Sequence, residues 1–515
     1  MKRSKIMIGM LILALTASFG CKRYLDLPPK NQRTVTTVAD VKSLLAGYLR
    51  SIAELRVRNN FNNFMPLATV DANMLFEAYS DNIDMETALG SCFLKPNNIH
   101  ISQEKRYADL LLWNDMSTPT TIWTQHYELI GFFNALIDQL AEEVKDGTQD
   151  QRDQLMGEML INRAYYFFKL QQYYAPFSNA ALGIPVYLHS GKQVLGVDMA
   201  RKSHAEVYKT ILADLNQAEA LLGKTQPLAG YNVMFNRRYL SHLMAQVYWF
   251  KAESPAKEAT DYEQVKKYAG NAIDGVEANI PVTGAAMRDA YAGKLPNYPA
   301  ICMETTSQGA VSGLYGSCWQ YLGFNPMDIP LKADFCALFS NTDMRSSLYF
   351  NQDPNRAGGK VGPAGKTLSW GWPSDGTADG SLKRGNACIF KPEEAYLMLA
   401  EAQYRTNQPN DAITTLNKFK SFRNAGTADG LSGDALLQEI MNERRKEFFG
   451  DSDKRWIDLK RNGGKTINRK LRFFSKDYDL TAKPNDYHYA LPIPLVELQQ
   501  NKNIIPNEGW ITIEY

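Results

Sequence analysis

The sequence predicts a mostly α protein, built of helical hairpins of tetratricopeptide type joined to a long, irregular, loop-rich part. Three observations predict it. From Thr121 onward, apolar residues recur at helical spacing in run after run. Small residues fall where paired helices pack closely, as with Ala400 and, about twelve positions later, Ala412. Between Pro281 and Asn386 the helical pattern lapses. There, eight of the 35 residues from Asn351 to Gly385 are glycine, against 35 in 515 for the whole chain, so this part reads as loops.

Taken in order, Lys2, Arg3 and Lys5 precede an apolar run from Ile6 to Phe19 that is short for a membrane span. Small residues then lead to Cys21, which resembles a bacterial lipoprotein signal. Residues 1–20 are expected to be removed and Cys21 lipidated; plain secretion is the alternative. Ser18 stands where such signals usually carry leucine. Residues 21–515 are expected to form a single domain, with an extended lead-in through Pro28-Pro29 and a helix from Val38 to Ala53. Asn59 to Asn114 lacks periodicity and reads as loops. Helices are expected at Ile122–Leu140, Gln154–Tyr174, Glu206–Leu222, Arg237–Ala252 and Asp261–Ile273, with a turn at Gly183-Ile184-Pro185. The repeats thus occupy about 121–280 and 390–461, on either side of the insertion at about 281–387. Generic helical hairpins are the alternative to true repeats. Leu491-Pro492-Ile493-Pro494 then leads into a short helix.

A net charge of +2 argues against a dedicated nucleic-acid binder. The six cysteines show no CxxC and no zinc-like spacing, so no metal site and no cofactor is expected. A disulfide among Cys302, Cys318 and Cys336 is compatible with an oxidising compartment. The histidines form no HExxH, and Gly358-Gly359-Lys360 lacks the Ser/Thr of a phosphate-binding loop. Glu142-Glu143 and Glu393-Glu394 are expected to be solvated charge, since helix neighbours do not face each other. No catalytic constellation is expected, although loop acids such as Asp71, Asp81 and Asp84 leave a secreted glycoside hydrolase as an alternative.

The densest charge lies between Asn442 and Arg461, with seven basic and five acidic residues. Leu437, Ile440, Met441 and Phe448 trace one apolar helical face, with Arg444 on it and Glu447 beside it. Charges aimed at a core must be paired, and Arg455 and Asp458 are the nearest candidate partners. The stretch is therefore expected to be a structural brace rather than a site.

These residues carry a family resemblance. Asn442-Glu443-Arg444-Arg445-Lys446-Glu447-Phe448, followed by Arg455-Trp456-Ile457-Asp458-Leu459-Lys460-Arg461, resembles the SusD/RagB family, the outer-membrane glycan-binding lipoproteins of Bacteroidota. Cys21 with Tyr24-Leu25-Asp26, the helix pairs with Gly183-Ile184-Pro185, and Leu491-Pro492-Ile493-Pro494 extend the likeness over nearly the whole mature chain. The link from Phe449 to Lys454 is longer than usual, and residues 501–507 lack the family's usual proline and glutamine. The resemblance implies repeat-like helices packed against an irregular half. It also implies a lipid anchor in the outer membrane, facing outward, and docking as a lid on a SusC-like TonB-dependent transporter. It implies glycan binding without enzymatic activity. The same lid with a peptide or another nutrient as cargo is the alternative.

Sugar rings stack their apolar faces on aromatic rings, and their hydroxyls need polar side chains. Tyr315, Trp319, Tyr321, Trp370 and Trp372 of the insertion are accordingly the expected glycan-binding residues, joined by Tyr79 and Asp81 from the N-terminal loops.

Overall fold

The computed structural model describes residues 35–53, 75, 76, 78–82, 109–191, 196, 197, 199–223, 237–291, 295, 297–299, 301–306, 331–349, 351, 352, 360, 361, 384–449, 453–473 and 476–510. Helices dominate them. In chain order these are α1 (Val38–Ala53), α2 (Ser117–Glu142), α3 (Gln149–Tyr174), α4 (His204–Leu222), α5 (Arg237–Lys251), α6 (Asp261–Ile273), α7 (Gly284–Tyr291), α8 (Ala333–Cys336), α9 (Met344–Tyr349), α10 (Pro392–Arg405), α11 (Pro409–Ser421), α12 (Gly433–Glu447), α13 (Lys454–Arg461) and α14 (Leu495–Gln500).

The hairpins are α2–α3, α5–α6 and α10–α11, with α4 packed on α3 and α6 on α10. Ala400 and Ala412 are fully buried, so their small side chains let α10 and α11 approach closely. Helix α3 runs through the middle and is buried on nearly every side from Leu155 to Tyr174. A helix so placed shows little amphipathic contrast, which is why its periodicity understates its role. Capping boxes start α3 and α4: Thr148 with Gln151, and Ser203 with Glu206. A smaller second core forms where α10, α11 and α12 meet, around Leu397, Leu416, Phe419, Leu436 and Ile440.

Among the described residues, strands are few and pair only as two-stranded antiparallel ladders. β1 (Ile301–Thr306) pairs with β4 (Arg384–Phe390), β2 (Asn351–Gln352) with β3 (Lys360–Val361), and β5 (Ile467–Phe473) with β6 (Lys476–Ala482). The first ladder pinches the base of the insertion, since Thr306 sits opposite Arg384. The same register sets Cys302 opposite Cys388 along the two backbones. In the β5–β6 hairpin, Ile467, Arg469 and Leu471 alternate inward while Asn468 and Lys470 face solvent.

Close approach explains the turn at Gly183. Its amide donates to Lys202 O at 2.7 Å, and a Cβ there would come within 2.6 Å of that same oxygen. Beside it, the Arg201 guanidinium donates to Gly183 O and Leu182 O, to Tyr174 O, and to Ile505 O and Asn507 Oδ1. One arginine thus ties the C-terminal arm to α3. Among the described residues, no helix is long and apolar enough to cross a membrane.

Candidate functional site

The charge-dense stretch folds into α12 and α13, two helices with two different sides. On the inner side the charges are met by opposite charge, except Lys460, which donates to Gln172 O. Arg444 donates to Asp458 at 3.0 Å and lies 4.2 Å from the Trp249 ring centre, which Arg461 approaches to 3.7 Å. Arg461 in turn pairs with Glu401 at 2.9 Å. Glu447 accepts from Arg423 at 2.8 Å and from Arg345 at 3.1 Å. The expected brace is therefore present, and the Arg444–Asp458 pair is as anticipated. Glu447, however, reaches α11's end and α9 rather than Arg455, because its helix turn points at the second core. Burial alone would raise the Glu447 carboxyl, but Arg423 and Lys391 outweigh it and hold it at about 2.

Glu393-Glu394 corrects one expectation. Both are buried at the start of α10, whereas Glu142-Glu143 at the end of α2 is exposed as expected. Glu393 accepts from Arg423 and the Tyr298 hydroxyl. Glu394 accepts from Lys454, Gln246 and His242. Burial works against the Glu394 charge, yet Lys454, His242 and Arg444 hold its carboxyl well below the usual range. Adjacent acids do point apart, but here each points into a different cationic pocket.

Tyr79 and Asp81 also fall on the bracing side. Tyr79 is 3% exposed and stacks on Trp510 at 6.2 Å between ring centres. Asp81 is clamped by Arg455 at 2.6 Å and Lys465 at 2.9 Å, with Arg445 at 3.5 Å. Burial would raise its carboxyl, but the Arg455 guanidinium overrides this, helped by Arg445 and Lys465, and holds it far below the usual range. The backbone around it is pinned as well. Arg445 donates to Asp81 O, Arg469 to Ser80 O, and Lys332 N to Asn82 O. The expectation that this pair presents itself to a ligand is corrected: desolvation makes three cations and a buried ring the better partners.

On the outer side of α12 and α13 lies a cavity of about 540 Å³. Gln438, Met441 and Asn442 of α12 form one wall, and Arg455 and Asp458 of α13 the facing one. Lys465, Gly464, Asp334 and Leu338 also line it. Leu437 and Met441, expected on the core face, are half-buried in this wall; Leu436 and Ile440 take the core positions. The sequence did carry a signal for the cavity wall: Asp434, Gln438 and Asn442 form a polar stripe at four-residue spacing along the same helix. Among the described residues, no group of histidine, cysteine and acidic side chains could hold a metal ion.

Tyr315, Trp319, Tyr321, Trp370, Trp372 and Cys21 lie outside the described residues. The flanking ladder fixes where the aromatic stretch leaves and returns, at Thr306 and Arg384.

A scaffold of buried helical hairpins braced by ion pairs defines a helical class of protein rather than a sheet-based one. Comparison with known proteins narrows it. Residues 23–249 match the family model for starch-binding proteins associating with the outer membrane, and residues 372–510 match that of the SusD family. The chain belongs to the SusD/RagB family. It is 30% identical over 122 residues to the starch-binding protein SusD of Bacteroides thetaiotaomicron, covering 24% of this chain and 21% of that protein. It is 29% identical over 131 residues to a SusD-like protein of Formosa agariphila, covering 24% of each. These matches span less than a quarter of each relative's length. The fold is that of a SusD-like carbohydrate-binding protein of Bacteroides vulgatus, at TM-score 0.62 and 19% identity over 91% of this chain and 98% of that one. It is shared likewise with a SusD superfamily protein of Bacteroides thetaiotaomicron, at TM-score 0.64 and 20% identity over 92% and 100%.

Proposed function

We propose that this protein is a non-catalytic, carbohydrate-binding lipoprotein of the outer membrane, which captures an oligosaccharide and passes it to a SusC-like TonB-dependent transporter. Membership of a glycan-binding family over both the N-terminal and the C-terminal match carries the reading. The ligand is held by the aromatic residues of the insertion, Tyr315, Trp319, Tyr321, Trp370 and Trp372, whose rings suit the apolar faces of sugars. Lipidation at Cys21 anchors the chain, with its body facing the cell exterior.

The test is calorimetric titration of the mature chain against a polysaccharide panel, repeated with Trp319→Ala, Trp370→Ala and Trp372→Ala. At least one glycan should bind, and affinity should fall at least tenfold in one or more variants. Unchanged affinity in all three would remove the aromatic assignment, and release of shortened sugars by the pure protein would replace the binder with an enzyme. Co-purification of a large β-barrel with the lipidated chain tests the transporter.

A further inference from the structure

We propose that the cavity between α12 and α13 is a second carbohydrate site, taking one or two rings of an uncharged sugar, separate from the aromatic insertion. The inference rests on the carbohydrate reading above but on none of the residues assigned there.

Size is the first argument. About 540 Å³ lies within the range of sites that enclose small ligands, roughly 300–1,000 Å³. The second is the composition of the wall. Leu437 and Met441 give a half-buried apolar strip on α12, and Gln438 and Asn442 run alongside it one residue on. A pyranose presents that same pairing, with C–H groups on its face and hydroxyls around its edge.

The third argument is charge. Asp334, Asp434 and Asp458 balance Arg445, Arg455 and Lys465 in the lining. Beneath them, Asp81 accepts from Arg455 and Lys465, so the cations carry no surplus for an anion. An acidic sugar or a phosphate gains little here, whereas a neutral polyol gives up nothing.

Open hydrogen-bonding capacity is the fourth. Gln438 Nε2 donates to Asn442 Oδ1 at 2.9 Å, which leaves Gln438 Oε1 as an acceptor and Asn442 Nδ2 as a donor. Asn462 spends its Nδ2 on Asp458 O, leaving Oδ1. Arg455 uses Nε and Nη2 on Asp81, leaving Nη1. Residues with open donors and residues with open acceptors therefore line one cavity. A hydroxyl satisfies both at once, and a carboxylate only the donors. The polar groups are also held in place beforehand, Arg455 by Asp81 and Asp458 by Arg444, which limits the ordering cost of binding.

Met441 supplies the probe. The mature full chain, labelled with ¹³C at its methionine methyls, is titrated with maltose, cellobiose, lactose, xylobiose, mannobiose and galacturonic acid. At least one neutral disaccharide should shift the Met441 methyl resonance saturably. Gln438→Ala with Asn442→Ala should weaken that binding at least tenfold, while the melting temperature stays unchanged. The same shift should survive in the Trp319, Trp370 and Trp372 alanine variants. No saturable Met441 shift with any neutral sugar, or a tighter response to galacturonic acid, overturns the inference. If polysaccharide binding persists while Met441 stays silent, the cavity fails and the aromatic reading stands. If Met441 responds while the aromatic variants bind polysaccharide normally, the reverse holds.

Discussion

The inner and outer sides of α12 share one sequence run and have opposite characters. Facing inward, Glu443, Arg444 and Glu447 are each at most 1% exposed, and each is met by opposite charge within about 3 Å. Facing outward, Asp434, Gln438 and Asn442 border a cavity and keep hydrogen-bonding capacity in reserve. Charge density therefore does not separate a brace from a site. What separates them is whether the protein itself exhausts the valences. A buried charge without a partner costs several kcal/mol, so the inner set must be closed. An exposed amide loses nothing by waiting, since water fills its vacancies.

The largest effect should come from opening the inner set. Glu447→Ala takes a shared carboxylate from two buried arginines, leaving Arg423 with Glu393 and Arg345 with Asp343 and Glu443, and is expected to cost about 3–5 kcal/mol in guanidinium denaturation. Arg444→Ala, which strands Asp458, should fall in the same range; a variant that unfolds like the parent would break the brace. Asp81→Ala comes next. It releases Arg455 and Lys465, of which the lysine is half exposed, so about 2 kcal/mol is expected in the same measurement.

A pH effect of intermediate size sits on α3. Burial pushes the Glu158 carboxyl up to about 7 from 4.5, with Gln154 donating to it at 3.3 Å. The folded chain thus holds a proton there that the unfolded chain has released. The Glu158 contribution to stability is full below about 4.5 and is lost as pH rises through about 7. Glu158→Gln should flatten that decline, raising the melting temperature at pH 8 by about 2 °C and leaving it unchanged near pH 4. The smallest effect belongs to the outer side: Gln438→Ala and Asn442→Ala should each change stability by less than about 0.5 kcal/mol. A cost comparable to Glu447→Ala would mean that the two sides are not distinct.

Much of the fold was legible. Val38–Ala53 and Asp261–Ile273 are helices over the spans their periodicity gives, and Gln154–Tyr174 gains only its capped first turn. The β5–β6 hairpin was not read, although Ile467, Arg469 and Leu471 alternate with polar residues; an arginine on the inward face hides the pattern. Arg469 is accepted there because it lies 4.5 Å from the Trp113 ring centre and donates to Ser80 O. Of the expected ligand residues, Tyr79 and Asp81 looked like loop residues free to bind. Their partners, Trp510, Arg455 and Lys465, lie hundreds of positions away, beyond the reach of any local pattern.

By itself the sequence determined the helices, the hairpin closure at Ala400 and Ala412, the need to pair Arg444 and Glu447, and the family. The first three follow from spacing within a few turns of chain or from the burial of a charge, and the family from the resemblance carried by residues 442–461. Only the tertiary structure decided which partner each charge takes, that Glu393-Glu394 lies buried while Glu142-Glu143 stays in water, and that one side of α12 opens on a cavity. Those outcomes depend on what chain packing brings opposite each side chain, and a local pattern records the demand for a partner without recording who meets it.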